Sequence, residues 1–215
     1  MDRTIKITGI GEIAVPPEKI CVALTIKGLD KLYGEALKKE DKNMELLENA
    51  TVSSGIKKDN IITSNYSIVE RYEYLQNKKE FLGFEVSQTV KIEFDFDKKV
   101  LTNLINNISK IIKDGPHLNV TFKADEKKVH KKLLELAVEN AKNEAEIISK
   151  AAGVKLGKII SISHNFDQIE VVYGGSNMNF EGVSLKAASA RSLNNINVDN
   201  IKFSANINVE WEIEN

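Results

Sequence analysis

The segment Ile5–Leu24 reads IKITGIGEIAVPPEKICVAL and contains two strand-like stretches joined by adjacent prolines. A Gly-x-Gly motif binds phosphate when it closes a strand and opens a helix, because free N–H groups and the helix dipole then face the anion. Here Gly9 and Gly11 lead to Pro16-Pro17 and a second strand. Prolines cannot donate ladder hydrogen bonds, so this pair ends the first strand. The segment therefore predicts a structural role for its glycines and no nucleotide site.

The chain that follows has the order β-α-β-β-α-β between residues 19 and 123. Strands are indicated by alternation of apolar and polar residues, and helices by apolar stripes of helical period. The elements are a strand at 20–26, a helix at 33–54, hairpin arms at 60–74 and 81–96, a helix that begins after Asp97 and ends at Gly115-Pro116, and a strand at 118–122. This order predicts a split sheet with both helices on one face.

A second αβ region combines residues 1–15 with 125–215. Asp125 is placed to cap a long helix that runs to Ala152, with Gly153 after its last turn. Strands are expected at 155–165 and at 201–213, where the alternation is most regular. We expect the first strand and these two to form a second sheet region covered by the long helix. The fold class is therefore α+β, as a single domain over residues 1–215.

Residues 166–198 lack sustained periodicity and are rich in glycine, asparagine and small side chains. A long loop of this kind inside a domain is usually functional or disordered. We expect a mobile connection, with an ordered arm that docks on a neighbouring subunit as the alternative.

Charge and hydropathy exclude several partners. Thirty basic and 31 acidic side chains give a net charge of −1, whereas nucleic-acid and anionic-membrane binders carry a basic excess. No apolar run approaches the ~20 residues needed to cross a bilayer, so we expect no nucleic acid and no stable membrane insertion. Met1 to Thr4 lead directly into a strand without a secretion signal. The expected location is cytoplasmic, or periplasmic or exported if a leader has been removed.

Reactive centres are not apparent in the sequence. The lone Cys21 lies in a strand, where a buried thiol is the simplest interpretation. His117, His130 and His164 are far apart and lack zinc-ligand spacing. His164 and Asp167 resemble half of a catalytic pair, yet no nucleophile elbow accompanies them. We therefore name no catalytic, cofactor-binding or metal residues, expect no cofactor, and do not expect an enzyme.

The long hairpin is the strongest functional candidate, because it concentrates aromatic side chains on arms joined by a polar turn. Aromatic residues often anchor protein interfaces. The interface candidates are Tyr66, Tyr72, Tyr74, Phe81 and Phe84. The alternative is that these rings pack on the helices of the same domain.

Five segments carry a resemblance over nearly the whole chain. They are Thr8-Gly9-x-Gly11-Glu12-x-x-x-Pro16-Pro17, Asp59-Asn60-Ile61-x-Thr63-Ser64-Asn65-Tyr66-Ser67-Ile68, Gly83-Phe84-Glu85-Val86-Ser87-Gln88-Thr89-Val90, Ala151-Ala152-Gly153-Val154-Lys155-Leu156-Gly157-Lys158, and the strand from Ile201 to Trp211. The sequence resembles the SIMPL-domain family, a domain of unknown function that includes bacterial periplasmic immunogenic proteins. The resemblance implies an α+β architecture and homo-oligomers, and it supplies no catalytic residues.

Two functional hypotheses remain open at this stage. The first is a non-catalytic, self-associating interaction or structural module that forms a homo-oligomer and can bind a protein partner. The alternative is a small-molecule-binding protein or unrecognised hydrolase with a pocket between the two sheet regions.

Overall fold

The computed structural model describes residues 3–75, 78–111, 118–164, 170–172, 178–179 and 198–214. The chain divides into two compact units. Unit 1 comprises Met1–Pro17, Ala124–Gly175 and Asp199–Asn215, and unit 2 comprises Glu18–Lys123 and Ser176–Val198. Each unit has its own antiparallel sheet.

The elements alternate between strands and helices, as the sequence pattern predicts, and the α+β class is confirmed. In chain order they are β1 (Thr4–Val15), β2 (Lys19–Asp30), α1 (Tyr33–Ser53), a 3-10 turn (Lys58–Asn60), β3 (Ile61–Leu75), β4 (Lys78–Asp95), α2 (Lys98–Ile111), β5 (Leu118–Lys123), α3 (Glu126–Ala152), β6 (Lys155–His164), β7 (Glu170–Val172), β8 (Met178–Asn179) and β9 (Ile201–Glu214). Among these described residues, no helix is long and apolar enough to cross a membrane.

Unit 2 contains the split β-α-β-β-α-β arrangement. Its strand order is β3-β4-β2-β5-β8, with every neighbouring pair antiparallel. Strand β2 lies in the middle, and its alternate residues Ile20, Val22, Leu24 and Ile26 are fully buried. Helix α1 packs on β2 and β4, and α2 packs beside α1. Burial of these alternating apolar side chains fixes the register of β2 with its neighbours, because a one-residue slip would expose them.

Unit 1 contains the second sheet, with strand order β1-β9-β6 and β7 also paired to β9. Helix α3 covers β1 and β9. Its core cluster comprises Ile7, Ala137, Ala141, Ala145, Ile207, Val209 and Trp211. The predicted second sheet, formed by the first strand, the last strand and the strand after the long helix, is therefore confirmed.

The Gly-x-Gly motif of β1 permits a close approach of helix α3. A Cβ atom at Gly9 would lie 2.1 Å from the carbonyl oxygen of Ala137, and one at Gly11 would lie 2.2 Å from that of Leu133. Real side chains do not tolerate such distances, and backbone atoms cannot rotate away as a side chain could. The glycines therefore serve helix-on-sheet packing.

The ends of α3 are fixed by the predicted residues. The Asp125 carboxylate accepts hydrogen bonds from the backbone N–H groups of Lys127 and Lys128 at 3.1 and 3.4 Å. Burial acts to raise the pKa of Asp125, but these hydrogen bonds outweigh it and the pKa is lowered. Gly153 ends the helix with a φ of 71°, a left-handed conformation that glycine adopts without strain. Both cap predictions are confirmed.

Two expectations fall largely outside the described residues. The Gly115-Pro116 stop of the second helix lies outside them, as does most of segment 166–198. Within that segment the structure describes β7, which pairs with β9, β8, which pairs with β5, and Val198. The expectation of a mobile connection stays a prediction.

Candidate interaction surface

The β3–β4 hairpin forms the outer margin of the unit 2 sheet. Strand β3 is the terminal strand, paired on one side to β4. The ladder is interrupted twice, between Thr63 and Asn65 and between Arg71 and Tyr72. Such irregularities shift the residues that face each other and increase local twist. The run Asn65–Arg71 between them is regular.

All five interface candidates lie on one face of this hairpin. Opposed residues in an antiparallel ladder share a face, and residues two apart on a strand do so as well. Tyr66, Tyr72 and Tyr74 therefore share a face, to which the ladder adds Phe81 opposite Tyr72 and Phe84 opposite Glu70. Phe84 also contacts Tyr33, the first residue of α1, so this face is the one that carries α1.

Three of these rings form a continuous series with the ring of Tyr33. The centroids of Tyr33 and Phe84 are 5.8 Å apart, those of Phe84 and Phe81 are 5.4 Å apart, and those of Phe81 and Tyr72 are 5.4 Å apart. All three contacts are edge-to-face, the arrangement that the ring quadrupoles favour. The Lys79 ammonium lies 3.9 Å from the Tyr72 ring centroid, which is a cation–π distance.

The outer part of this surface is exposed. Tyr74 is 72% exposed, Tyr66 is 50% exposed and Phe81 is 38% exposed, whereas Phe84 is half-buried. The alternative was that these rings pack on helices of the same domain. Phe84 fits this alternative best, because it contacts Tyr33 of α1. Their role in an interface stays a prediction.

The polar groups of the hairpin bond to one another. The Tyr72 hydroxyl donates to Glu70 Oε2 at 2.6 Å, and this hydrogen bond is the main reason why the pKa of Tyr72 is raised. On the opposite face, Arg71 Nη2 lies 2.7 Å from Glu85 Oε1. The Arg71 side chain is half exposed, and ion pairs that are open to solvent orient side chains more than they stabilise the fold.

A buried carboxyl group next to this surface was missed in the sequence. Glu40 of α1 is buried over Gly28 of β2, and its Oε1 has no hydrogen-bond partner among the described residues. Burial, and then the charge of Asp41, raise the pKa of Glu40. Burial also raises the pKa of Tyr66, with a further contribution from Glu40. The available signal was helical spacing, because Glu40 is four residues from the buried Ala36.

Two histidines of unit 1 that are distant in the sequence lie close together in the structure. His130 and His164 are far apart in the chain, yet their ring centroids lie 5.9 Å apart, because α3 packs against the sheet that contains β6. His117 lies outside the described residues. In the part of the chain that the structure describes, no group of three or more His, Cys, Asp or Glu residues could hold a metal ion.

A cavity of about 470 Å³ lies beside α3 in unit 1. Its described lining is apolar, including Ile159 and Trp211, apart from Lys142 and Glu146. Their Nζ and Oε1 atoms are 3.8 Å apart on the helix surface. The apolar side chains of this lining can contact an apolar group, whereas Lys142 and Glu146 are paired with each other. The alternative of a small-molecule binder or hydrolase stays a prediction.

The sequence matches the family model for SIMPL, described as "Protein of unknown function (DUF541)", over residues 5–211. No curated protein matches the chain.

Proposed function

This chain belongs to the SIMPL family, and from its surface we propose that it is a non-catalytic, self-associating interaction module. The surface that associates is the exposed part of the β3–β4 hairpin, which we call the hairpin surface. It comprises Tyr66, Ile68, Tyr72, Tyr74 and Phe81 together with the outer edge of β3, the terminal strand of the described sheet.

The observation that carries this proposal is the exposure of large apolar groups along a strand edge that no other described strand pairs with. A contiguous exposed apolar patch on a folded protein usually marks an interaction site. Tyrosine and phenylalanine offer large contact areas with few rotatable bonds, so they lose little conformational entropy on binding. The edge-to-face contacts between the rings restrict them further before any partner binds.

The chemistry of the hairpin surface favours a second copy of the chain as the partner. Positive groups on the hairpin, Arg71 and Lys79, lie within a few residues of the negative groups Glu70, Glu73 and Glu80. A surface that carries both signs can be complementary to itself after a two-fold rotation. The net charge of −1 also leaves little overall repulsion between copies.

The polar groups on the two faces of the hairpin support a non-catalytic role. The Tyr72 hydroxyl and the Glu70 carboxylate bond to each other, as do Arg71 and Glu85. A general acid or base needs a group with a matched pKa that is directed at a substrate. These groups instead hold the side chains of the hairpin in place.

Light scattering after size-exclusion chromatography, over a range of concentrations, tests the proposal. We expect the wild-type protein to elute as an oligomer of its 24.0 kDa chain. Tyr74→Ser should weaken association at least several-fold, because it removes the most exposed ring of the hairpin surface. Ile147→Ser is the matched control, since Ile147 is similarly exposed at 67% but lies on α3. A wild-type protein that stays at 24.0 kDa at every concentration contradicts the proposal.

A further inference from the structure

The sheet edges of this protein are not equally protected against pairing with another strand. At the β1 edge, the Ile10 N–H donates to Asn140 Oδ1 at 2.8 Å and is thereby occupied. Strand β6 carries Lys155 and Lys158 and two register shifts, and β8 has only two residues. Short strands, lysines, irregular registers and occupied N–H groups all hinder edge-to-edge association.

Strand β3 is the exception among the described edges. It has 15 residues and contains neither lysine nor proline. Apolar side chains are exposed on both of its faces, with Ile68 at 38% and Val69 at 42%. A long edge of this kind is a template for another strand.

The regular part of β3 has its centre at Ile68. The two irregularities of the ladder leave the seven residues Asn65–Arg71 in uninterrupted register with β4. An incoming strand pairs best along such a run, because its N–H and C=O groups are evenly spaced. An antiparallel copy of the same run aligns over its full length only when the two Ile68 residues oppose each other.

The charges of β3 select the same alignment. The charged residues Glu70, Arg71 and Glu73 all follow Ile68. A two-fold axis at Ile68 places Glu70 opposite Tyr66 of the second copy, so that a phenol can donate to a carboxylate. It also places Arg71 opposite Asn65 of the second copy, whose amide oxygen can accept.

Other alignments are less favourable. An axis at Glu70 or at Arg71 places two like charges directly opposite each other, which destabilises a strand pair. An axis at Val69 places the apolar Ile68 opposite the Glu70 carboxylate. An axis at Ser67 extends the pairing across the irregularity between Thr63 and Asn65.

We infer that β3 pairs antiparallel with β3 of a second copy, about a two-fold axis at Ile68, to join two unit 2 sheets into one. This inference rests on the proposed self-association and specifies its geometry. Ser67 of each copy lies opposite Val69 of the other, and the exposed faces of Ile68 meet at the axis. Because the axis is normal to the sheet, the faces that carry α1 lie on the same side of the joined sheet.

Disulfide cross-linking of single-cysteine variants tests this alignment directly. The buried Cys21 is first replaced by Ala, and Cys is then introduced at Ser67, Ile68 or Val69. Directly opposed residues have Cβ atoms about 4.5–5.5 Å apart, near disulfide reach, whereas diagonal positions are about 7–8 Å apart. After mild oxidation we expect Ile68→Cys to form a covalent dimer. Ser67→Cys and Val69→Cys should form a covalent dimer mainly when the two variant proteins are mixed.

The possible outcomes separate this inference from the proposed function. Self-cross-linking of Ser67→Cys or Val69→Cys in place of Ile68→Cys overturns the Ile68 axis. An oligomer by light scattering without any cross-linking at these positions also overturns it, while self-association stands. A monomer at all concentrations, without cross-linking, overturns both.

A charge variant gives an independent check. Ile68→Lys places two ammonium groups opposite each other at the axis, so we expect at least a tenfold weaker association with an unchanged circular dichroism spectrum. Ile62→Lys adds the same charge to the same strand, outside the regular run, and serves as the control. Equal effects of the two variants would contradict the Ile68 axis.

Discussion

The contact between α3 and β1 in unit 1 differs sharply from the β3–β4 hairpin in unit 2. In the first, Gly9 and Gly11 lie against the helix backbone, and Ala137 and Ala141 are fully buried. In the second, large aromatic side chains lie on a strand pair and remain exposed. This difference shows that the size of the side chains on a strand depends on what packs against that face of the sheet. Small residues occur where a helix backbone must approach, and large ones where the space above the strand is open.

The two regions also differ in what contacts the outer edge of the sheet. At β1, a side chain of the covering helix occupies an edge N–H group. At β3, the structure describes a long edge with apolar groups on both faces. We therefore expect mutations in the first region to alter folding stability, and mutations in the second to alter association.

The largest effect is expected at the helix-on-sheet contact. Gly9→Val places side-chain atoms where the Ala137 carbonyl oxygen lies, so α3 must move away from β1. We expect a loss of about 3 kcal/mol in the free energy of unfolding, at the upper end of the range for overpacking. Denaturant unfolding followed by circular dichroism measures it.

Gly34→Ala is the control for this substitution. A Cβ atom at Gly34, in the first turn of α1, would meet nothing within 4 Å. It should leave stability unchanged or raise it by up to about 1 kcal/mol, because alanine favours helix. A Gly9→Val protein as stable as the wild type would show that the close approach is dispensable.

A smaller, pH-dependent effect is expected at Glu40, a buried carboxyl group on α1. Its folded-state pKa is raised above the ordinary 4.5. The protonated carboxyl group therefore contributes its full stabilisation below about pH 4.5, and this contribution is lost as the pH rises through the folded-state pKa. Glu40→Gln should abolish this fall and raise stability at neutral pH by about 1 kcal/mol.

Urea unfolding between pH 4 and pH 8 measures the Glu40 effect. Glu45→Gln, at an exposed position of the same helix, controls for the loss of one negative charge. The same pH dependence in the wild type and in Glu40→Gln would show that this carboxyl group does not carry it.

The smallest effect on folding is expected on the hairpin. Tyr74 is 72% exposed, so Tyr74→Ser should change the free energy of unfolding of the monomer by no more than about 0.5 kcal/mol. Thermal unfolding at a concentration that favours the monomer checks this. A large loss of stability would place Tyr74 within the folded core of unit 2 and would remove the contrast between the two regions.

Much of the fold could be predicted because local periodicity reports burial directly. The alternation in β2 and β9 identifies buried faces, and Asp125 and Gly153 mark the ends of α3 by short-range hydrogen bonding and backbone conformation. The split arrangement of β2, β3, β4 and β5 in unit 2 followed from the order of elements, because short connections and buried faces leave few arrangements.

The candidate surface was only partly predictable. The aromatic residues of the hairpin are evident in the sequence, but their common face depends on a ladder with two irregularities, which strand alternation alone does not locate. Glu40 was missed because a charged residue at a helical position is normally solvated. The approach of His130 and His164 depends on how α3 lies on its sheet, and their separation of 34 residues gives no sign of it.

The sequence by itself determined the α+β class, the two sheets, the helix caps and the membership in the SIMPL family, since each of these depends on short-range pattern or on residue identity. Only the tertiary structure decided that Gly9 and Gly11 serve a helix contact, that Glu40 is buried, and that β3 is the long terminal strand of the described unit 2 sheet. The physical reason is that steric contact and desolvation depend on which distant segments meet. Periodicity within one segment records that a face is buried, but not what lies against it.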